Sequence, residues 1–236
     1  MREHEWEAEG EHWVRWARTA QHDAYWFYRD AFFEGFLPAA GERTLEVGCG
    51  EGRVVRDLEA HGHNVAAVDI SFTLLRHATE RDRSAVFALS DASSLPFRDS
   101  SFDLVVAYNS LQVVADMAGT VRESARVLRA GGHLEACVSH PVTDLAEFES
   151  DDEDARLMRR PNYFANEWVD DTVAREGLTM RFTGWTYTLE DYASALANAG
   201  FQLSALREPR PSTDEPRYRR RQRVPMFLLL LAVKAA

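Results

Sequence analysis

The sequence predicts an α/β fold: a mostly parallel sheet of seven strands flanked by helices, with an N-terminal helical segment and a cap inserted late in the chain. Three observations carry this. Short apolar runs alternate with stretches of helical spacing from residue 44 onward, a glycine-rich turn joins the first run to the first helix, and residues 141–185 break the rhythm. At 236 residues, 45% apolar and 28% charged, the chain suits one soluble domain carrying one insertion. Its expected parts are a helical cap (1–41), a ligand-binding core (42–140), a cap insertion (141–186) and the end of the sheet (187–236).

The elements follow in order. Residues 13–37 place Trp13, Trp16, Tyr25, Trp26, Phe27, Tyr28, Phe32, Phe33 and Phe36 among charged residues, the pattern of amphipathic helices, and Pro38 and Gly41 end the segment. Strands are predicted at 44–48, 64–70, 85–90 and 102–108, with helices at 52–61 and 72–81. Val121, Ala125 and Leu128 have helical spacing within 120–130, and Gly131-Gly132 offers a left-handed stop before a strand at 133–140. Thr188 opens another helix with Asp191 as a capping-box partner and Gly200 as its stop, and strands at 201–208 and 224–234 complete seven. The stretch 141–185 is long for a loop, as lids and binding segments are.

Charge and cysteine content narrow the function classes. A net charge of −11 argues against a nucleic-acid backbone as the main partner. The one candidate basic patch runs from Arg217 to Arg223, as an anion contact or a solvated loop. Only Cys49 and Cys137 occur, both in apolar runs, so a disulfide framework has no support and a cytoplasmic setting is expected. The acidic first ten residues lack the pattern of a secretory signal, and the apolar run 225–236 is shorter than the roughly 20 residues a bilayer needs. The acidic stretch Glu147, Glu149, Asp151, Asp152, Glu153, Asp154 is read as a solvated face in preference to a cation site. His61 and His63 flank Gly62 in an exposed-looking turn without further ligands at metal spacing, so no metal is expected.

The strongest signal is Leu45-Glu46-Val47-Gly48-Cys49-Gly50-Glu51-Gly52, a strand entering a Gly-x-Gly-x-Gly turn and then a helix. Glycines permit positive φ and let a ligand approach bare backbone. Twenty-one residues beyond Gly48, a second strand ends on Asp69, a carboxylate placed to accept from both hydroxyls of a ribose. The pair implies a nucleoside site. Arg53 stands where the dinucleotide fingerprint requires a third glycine, which disfavours a nicotinamide cofactor.

This segment resembles the first motif of class I S-adenosylmethionine-dependent methyltransferases, a Rossmann-like family. The resemblance extends through Ser90-Asp91-Ala92-Ser93-Ser94-Leu95-Pro96-Phe97, Ser101-Phe102-Asp103-Leu104-Val105-Val106 and Arg126-Val127-Leu128-Arg129-Ala130-Gly131-Gly132, and is closest to the type-11 branch related to quinone biosynthesis. It implies S-adenosyl-L-methionine as cofactor, with the backbone of Gly48, Cys49 and Gly50 beneath the methionine portion, Glu46 near its amine, Asp69 on the ribose and Ile70 against adenine. Asp91 and the Ala92 backbone would address the adenine edge, and Asn109 the methionine part. Two positions depart from the family pattern. Ala130 replaces the usual proline, and Ala107-Tyr108-Asn109-Ser110-Leu111-Gln112 lacks the motif by which base-amino methyltransferases grip a nucleobase.

The implied activity is methyl transfer to an O, N or C atom of a small molecule; a cyclase or isomerase using the cofactor for its charge, or a non-catalytic binding module, is the alternative. A sulfonium is already activated, so orientation supplies most of what transfer needs. A base helps a hydroxyl acceptor. His140, closing the fifth sheet strand, is the first candidate, the other reading being a histidine held by neighbouring backbone; His22 is the second. Tyr163 and Trp168 lead a set of aromatics in the insertion that suits either a substrate wall or core packing. The oligomeric state is not legible.

Overall fold

The computed structural model describes residues 5–235 other than 145, 151, 153, 160 and 161. Two helices, α1 (Glu5–Arg18) and α2 (Tyr25–Phe33), precede β1 (Thr44–Val47), α3 (Arg53–Ala60), β2 (Val65–Asp69), α4 (Phe72–Arg81), β3 (Val86–Leu89) and β4 (Phe102–Tyr108). Then come α5 (Met117–Val127), β5 (Leu128–Ser139), α6 (Pro141–Asp144), β6 (Ala146–Phe148), β7 (Leu157–Arg159), β8 (Trp168–Arg175) and β9 (Leu178–Trp185). The chain ends with α7 (Leu189–Asn198), β10 (Phe201–Arg207), α8 (Pro216–Arg219), a 3₁₀ turn over Arg220–Gln222, and β11 (Phe227–Lys234).

Seven strands form one sheet in the order β3-β2-β1-β4-β5-β11-β10. All neighbours are parallel except β11, which runs antiparallel to both β5 and β10. Strand order reverses between β1 and β4, so the carboxyl ends of those strands open the crevice where ligands gather in such sheets. All four residues of β1 are buried because both faces are covered. One core joins the sheet to α5 and α7 through Val121, Leu134, Leu196 and Leu228; the other joins it to α2 and α3 through Phe32, Val55, Leu58 and Leu229.

The capping box of α7 is formed as its sequence predicts, Thr188 and Asp191 each bonding the other's backbone N–H. Helix α5 differs from its expected 120–130: it starts at Met117, where Asp116 accepts from Gly119 N–H at 2.7 Å, and ends at Val127. Gly131 does take a positive φ of 73°, but inside β5, where the pairing with β4 shifts register between Phe102 and Leu104. The double glycine thus serves a strand irregularity instead of stopping the helix. A Cβ on Gly132 would stand 3.0 Å from the Asp103 carbonyl, so the two strands meet there on bare backbone.

The insertion is built from two hairpins, β6–β7 and β8–β9, outside the main sheet. Strand β8, Trp-Val-Asp-Asp-Thr-Val-Ala-Arg, has no clean alternation because most of it is exposed or half-buried. Its partner β9 carries Phe182, which packs edge-on to Trp13 and Trp16 of α1, at 6.3 and 5.6 Å between ring centres. The basic segment 217–223, open as a solvated loop, is α8 and the 3₁₀ turn. One position corrects the histidine reading. His61 is exposed, but His63 is buried and shares a hydrogen bond with Thr44 Oγ1 at 2.8 Å. Among the described residues no three His, Cys, Asp or Glu side chains assemble as a metal site, and no helix is long and apolar enough to cross a membrane. Of the acidic stretch, Asp151 and Glu153 lie outside the described residues.

Glu135, in the middle of β5, is fully buried and neither carboxyl oxygen has a hydrogen-bond partner among the described residues. Burial pushes its pKa well up, because desolvation penalises the charged form. A carboxyl whose folded pKa lies above its unfolded value costs stability as pH rises above the unfolded pKa. Glu135→Leu is therefore expected to stabilise the fold by about 1–3 kcal/mol at neutral pH, with the gain shrinking as the pH falls into the carboxyl range. Urea unfolding at acid and neutral pH checks this, and a gain that does not change with pH would contradict the titration.

Candidate active site

The turn after β1 is shaped by three left-handed residues, Gly48, Gly50 and Gly52, at φ 73°, 56° and 82°. Gly48 and Cys49 both donate N–H to the Val68 carbonyl, at 2.8 and 3.0 Å, which holds the turn against β2. Asp69, the last residue of β2, accepts from Gly50 N–H at 2.7 Å and from Ser71 N–H at 2.9 Å. One carboxylate thus ties the glycine turn to the start of α4. Burial raises its pKa, against the opposing effect of those backbone donors. The Cys49 side chain is buried in the core under α2 and α3, so only its backbone faces the crevice.

Beneath the turn lies Glu46, 1% exposed, whose Oε2 has no hydrogen-bond partner among the described residues. Burial, and then the nearby Asp69 charge, push its pKa well above the carboxylate range. An arriving cation would offset both effects. At the end of β4, Asn109 takes φ 55°, its N–H bonds the Cys137 carbonyl at 2.7 Å, and its Oδ1 accepts from Gln112 Nε2 at 3.5 Å. Ser110 Oγ and Gln112 Oε1 are buried without hydrogen-bond partners among the described residues. At the end of β3, Asp91 Oδ1 accepts from Ser93 N–H at 2.7 Å, Ala92 is buried, and Ile70 remains 37% exposed beside Asp69.

Helix α1 roofs the turn. A Cβ on Gly50 would sit 3.3 Å from Trp13 Nε1. Glu7 accepts from Ser71 Oγ at 2.6 Å and from Thr73 N–H and Oγ1 at 3.1 and 2.7 Å, seating α1 on the first turn of α4. Arg18 donates to the buried Glu51 at 2.9 Å, which also receives Arg56. Arg53, the first residue of α3, pairs with Asp23 at 2.6 Å between the rings of Trp13 and Tyr25, 4.9 and 4.2 Å from its guanidinium. Sequence reasoning noted Arg53 only as a missing glycine; the signal available was a cation at the start of a helix, which needs a carboxylate from elsewhere.

A family profile described as a methyltransferase domain matches residues 45–136. A demethylmenaquinone methyltransferase of Tropheryma whipplei is 34% identical over 187 residues, covering 76% of this chain and 74% of that protein. The chain belongs to the type-11 branch of the class I S-adenosylmethionine-dependent methyltransferases. A 27-O-demethylrifamycin SV methyltransferase of Amycolatopsis mediterranei is 36% identical over 132 residues, 48% of each chain. Among solved structures, an S-adenosylmethionine-dependent methyltransferase from Mesorhizobium loti shares the fold at a TM-score of 0.70, with 24% identity, over 90% of this chain and 98% of that one.

The residues present in this methyltransferase fit S-adenosylmethionine. The buried, unpartnered Glu46 carboxyl suits the amine of an amino acid, and the glycine turn exposes backbone between it and Asp69. On the acceptor side the two histidines differ. His140 is buried; its Nδ1 accepts from Val142 N–H at 3.1 Å, which assigns the proton to Nε2, 2.9 Å from Glu208. Burial lowers its pKa, with Glu208 opposing. Both nitrogens are therefore engaged. His22 is also buried, edge-on to Trp16 at 4.2 Å, with Nδ1 3.5 Å from Glu176 and, among the described residues, no hydrogen bond at either nitrogen. Tyr163 accepts from Leu189 N–H at 3.1 Å, and Trp168 pairs edge-on with Trp185 at 5.3 Å, so both brace the insertion.

Proposed function

We propose that this methyltransferase acts in the cytoplasm on a small molecule, not a nucleic acid, bound beneath α1 and the insertion. The observation that carries the reading is the aromatic cluster of Trp13, Trp16 and Phe182, whose Trp13 stands directly over the glycine turn. A cluster of this kind suits a compact acceptor more than a polymer. The net charge of −11 and the small-molecule names of the two curated relatives support the same reading.

In the proposed division of roles, the backbone of Gly48, Cys49 and Gly50, with Glu46 and Asn109, holds the methionine portion of the cofactor. Asp69 has a second lone pair on each oxygen beyond those its backbone partners use, and accepts from the ribose. Ile70 covers adenine, and Asp91 with the Ala92 N–H addresses its edge. When bound, the sulfonium supplies an activated methyl group, so what the chain must provide is alignment and exclusion of water. His22, with a lone pair not engaged in a hydrogen bond, is the better placed of the two histidines to take a proton from a hydroxyl acceptor. His140, Tyr163 and Trp168 frame the acceptor site.

The test incubates the protein with a metabolite extract and methyl-labelled cofactor and identifies the labelled product by mass. A small product heavier by one methyl group, formed with S-adenosylhomocysteine, is expected. An isomer of the acceptor with the cofactor unchanged, or label appearing only in RNA, would overturn the reading.

A further inference from the structure

Five arginines lie between residues 217 and 223, and they do not have equal surroundings. Arg217 pairs with Glu215 at 2.7 Å, Arg219 donates to the Asp214 carbonyl, and Arg220 and Arg223 reach the insertion at the Ser150 and Ala155 carbonyls. Arg221 is half-buried and has no carboxylate partner among the described residues. Its Nη1 donates to Thr143 Oγ1 at 3.2 Å and its guanidinium lies over the Phe148 ring at 5.0 Å. Neither contact carries negative charge. Burial and the adjacent Arg220 lower its pKa, while Tyr28 and Tyr218, its other electrostatic neighbours, raise it.

Tyr28 of α2 is the second observation. It is 2% exposed, and its buried hydroxyl has no hydrogen-bond partner among the described residues. Its titratable neighbours are Arg221, Tyr218 and Cys137, of which only Arg221 is charged, and the Cys137 thiol donates to Asn109 Oδ1 at 3.7 Å. Thr143, which receives Arg221, donates its own N–H to the His140 carbonyl at 2.7 Å. The cation and the hydroxyl therefore lie by the carboxyl end of β5, where Cys137 links Tyr28 to Asn109 of the proposed methionine subsite. An orphaned buried hydroxyl is destabilising, and a guanidinium withdrawn from water without a counter-charge adds to that. A ligand oxygen carrying negative charge offsets both at once, through charge-assisted hydrogen bonds.

Resting on the small-molecule methyl-transfer reading, we propose that the Arg221 guanidinium and the Tyr28 hydroxyl together hold an anionic oxygen of the acceptor, a carboxylate or an ionised phenol. The acceptor is thus an acid, and this pair selects it within a protein whose overall charge repels anions.

The experiment titrates the protein loaded with S-adenosylhomocysteine with benzoate, 4-nitrophenolate and neutral benzamide. Wild type is expected to prefer at least one anion over benzamide by about ten-fold or more; Arg221→Gln loses that preference, Arg221→Lys keeps part of it, and Tyr28→Phe weakens it several-fold. Melting curves confirm that the variants fold, and partial rescue by lysine separates charge from packing. Which anion wins distinguishes a carboxylate acceptor from a phenolic one. Equal binding of benzamide and the anions, no anion binding, or wild-type anion binding by Arg221→Gln would overturn the inference. Failure of wild type to bind S-adenosylhomocysteine would overturn the methyl-transfer reading instead.

Discussion

Gly48→Ala is expected to weaken S-adenosylhomocysteine binding on the order of 100-fold, about 2.7 kcal/mol. The added Cβ would lie 2.5 Å from the Ser110 Cβ, and the residue must also hold φ 73°. Neither problem has a cheap remedy, because the obstacle is a Cβ fixed to its backbone and no flexible side-chain end is available to swing aside. The turn or the start of the β4 loop has to shift, and both line the proposed methionine subsite. Two further alanines separate the causes. Gly62→Ala carries the same left-handed strain, φ 87°, with nothing within 4 Å, so it should cost about 1–2 kcal/mol of stability and leave ligand affinity unchanged. Gly50→Ala meets only the Trp13 indole, at 3.3 Å, so its loss should fall between the two. Calorimetric titration of all three, with thermal melts, checks the order. Wild-type affinity in folded Gly48→Ala would remove the turn from the binding site.

What the sequence disclosed and what it withheld follow one division. Features set by a few adjacent residues were legible: the Gly48-x-Gly50-x-Gly52 turn, the Thr188–Asp191 box and the alternation of strands with helices each rest on local rules. Features decided by a distant partner were not. The end of α5 is set by Leu128 pairing with Phe102, which overrides the Gly131-Gly132 signal. His63 looks exposed beside Gly62 until Thr44 covers it. The hairpins of the insertion escape notice because β8 is buried on neither face along most of its length, so no period of two is imposed on it. In the site, the strand-end position of Asp69 was legible, but its role as acceptor of the Gly50 and Ser71 N–H groups was not. Asp69→Ala should therefore loosen the turn as well as the ligand. The seat of α1 on Glu7, Glu51 and Trp13 links residues up to 66 positions apart, as in the Glu7–Thr73 bonds, and no local pattern announces it.

Asp23→Ala is expected to destabilise the fold by about 3 kcal/mol or more, the usual consequence of stripping the partner from a buried charge. Arg53 has a side chain only 13% exposed and stands at the first position of α3, where the helix dipole is unfavourable to a cation. Burial opposes its charge, and the Asp23 carboxylate more than restores it. The same carboxylate accepts from Tyr25 N–H at 3.0 Å, so its removal also frees a backbone donor at the start of α2. The Trp13 and Tyr25 rings on either side of the guanidinium soften the loss, which places the expectation at the lower end of the range for broken buried pairs. Arg53→Met, which removes the charge and keeps most of the volume, should cost less. The double variant should then unfold at a higher urea concentration than Asp23→Ala alone, because no unpaired cation is left inside. Additive losses from the two single changes would mean that the pair is not coupled, and that Asp23 acts only as a cap for α2.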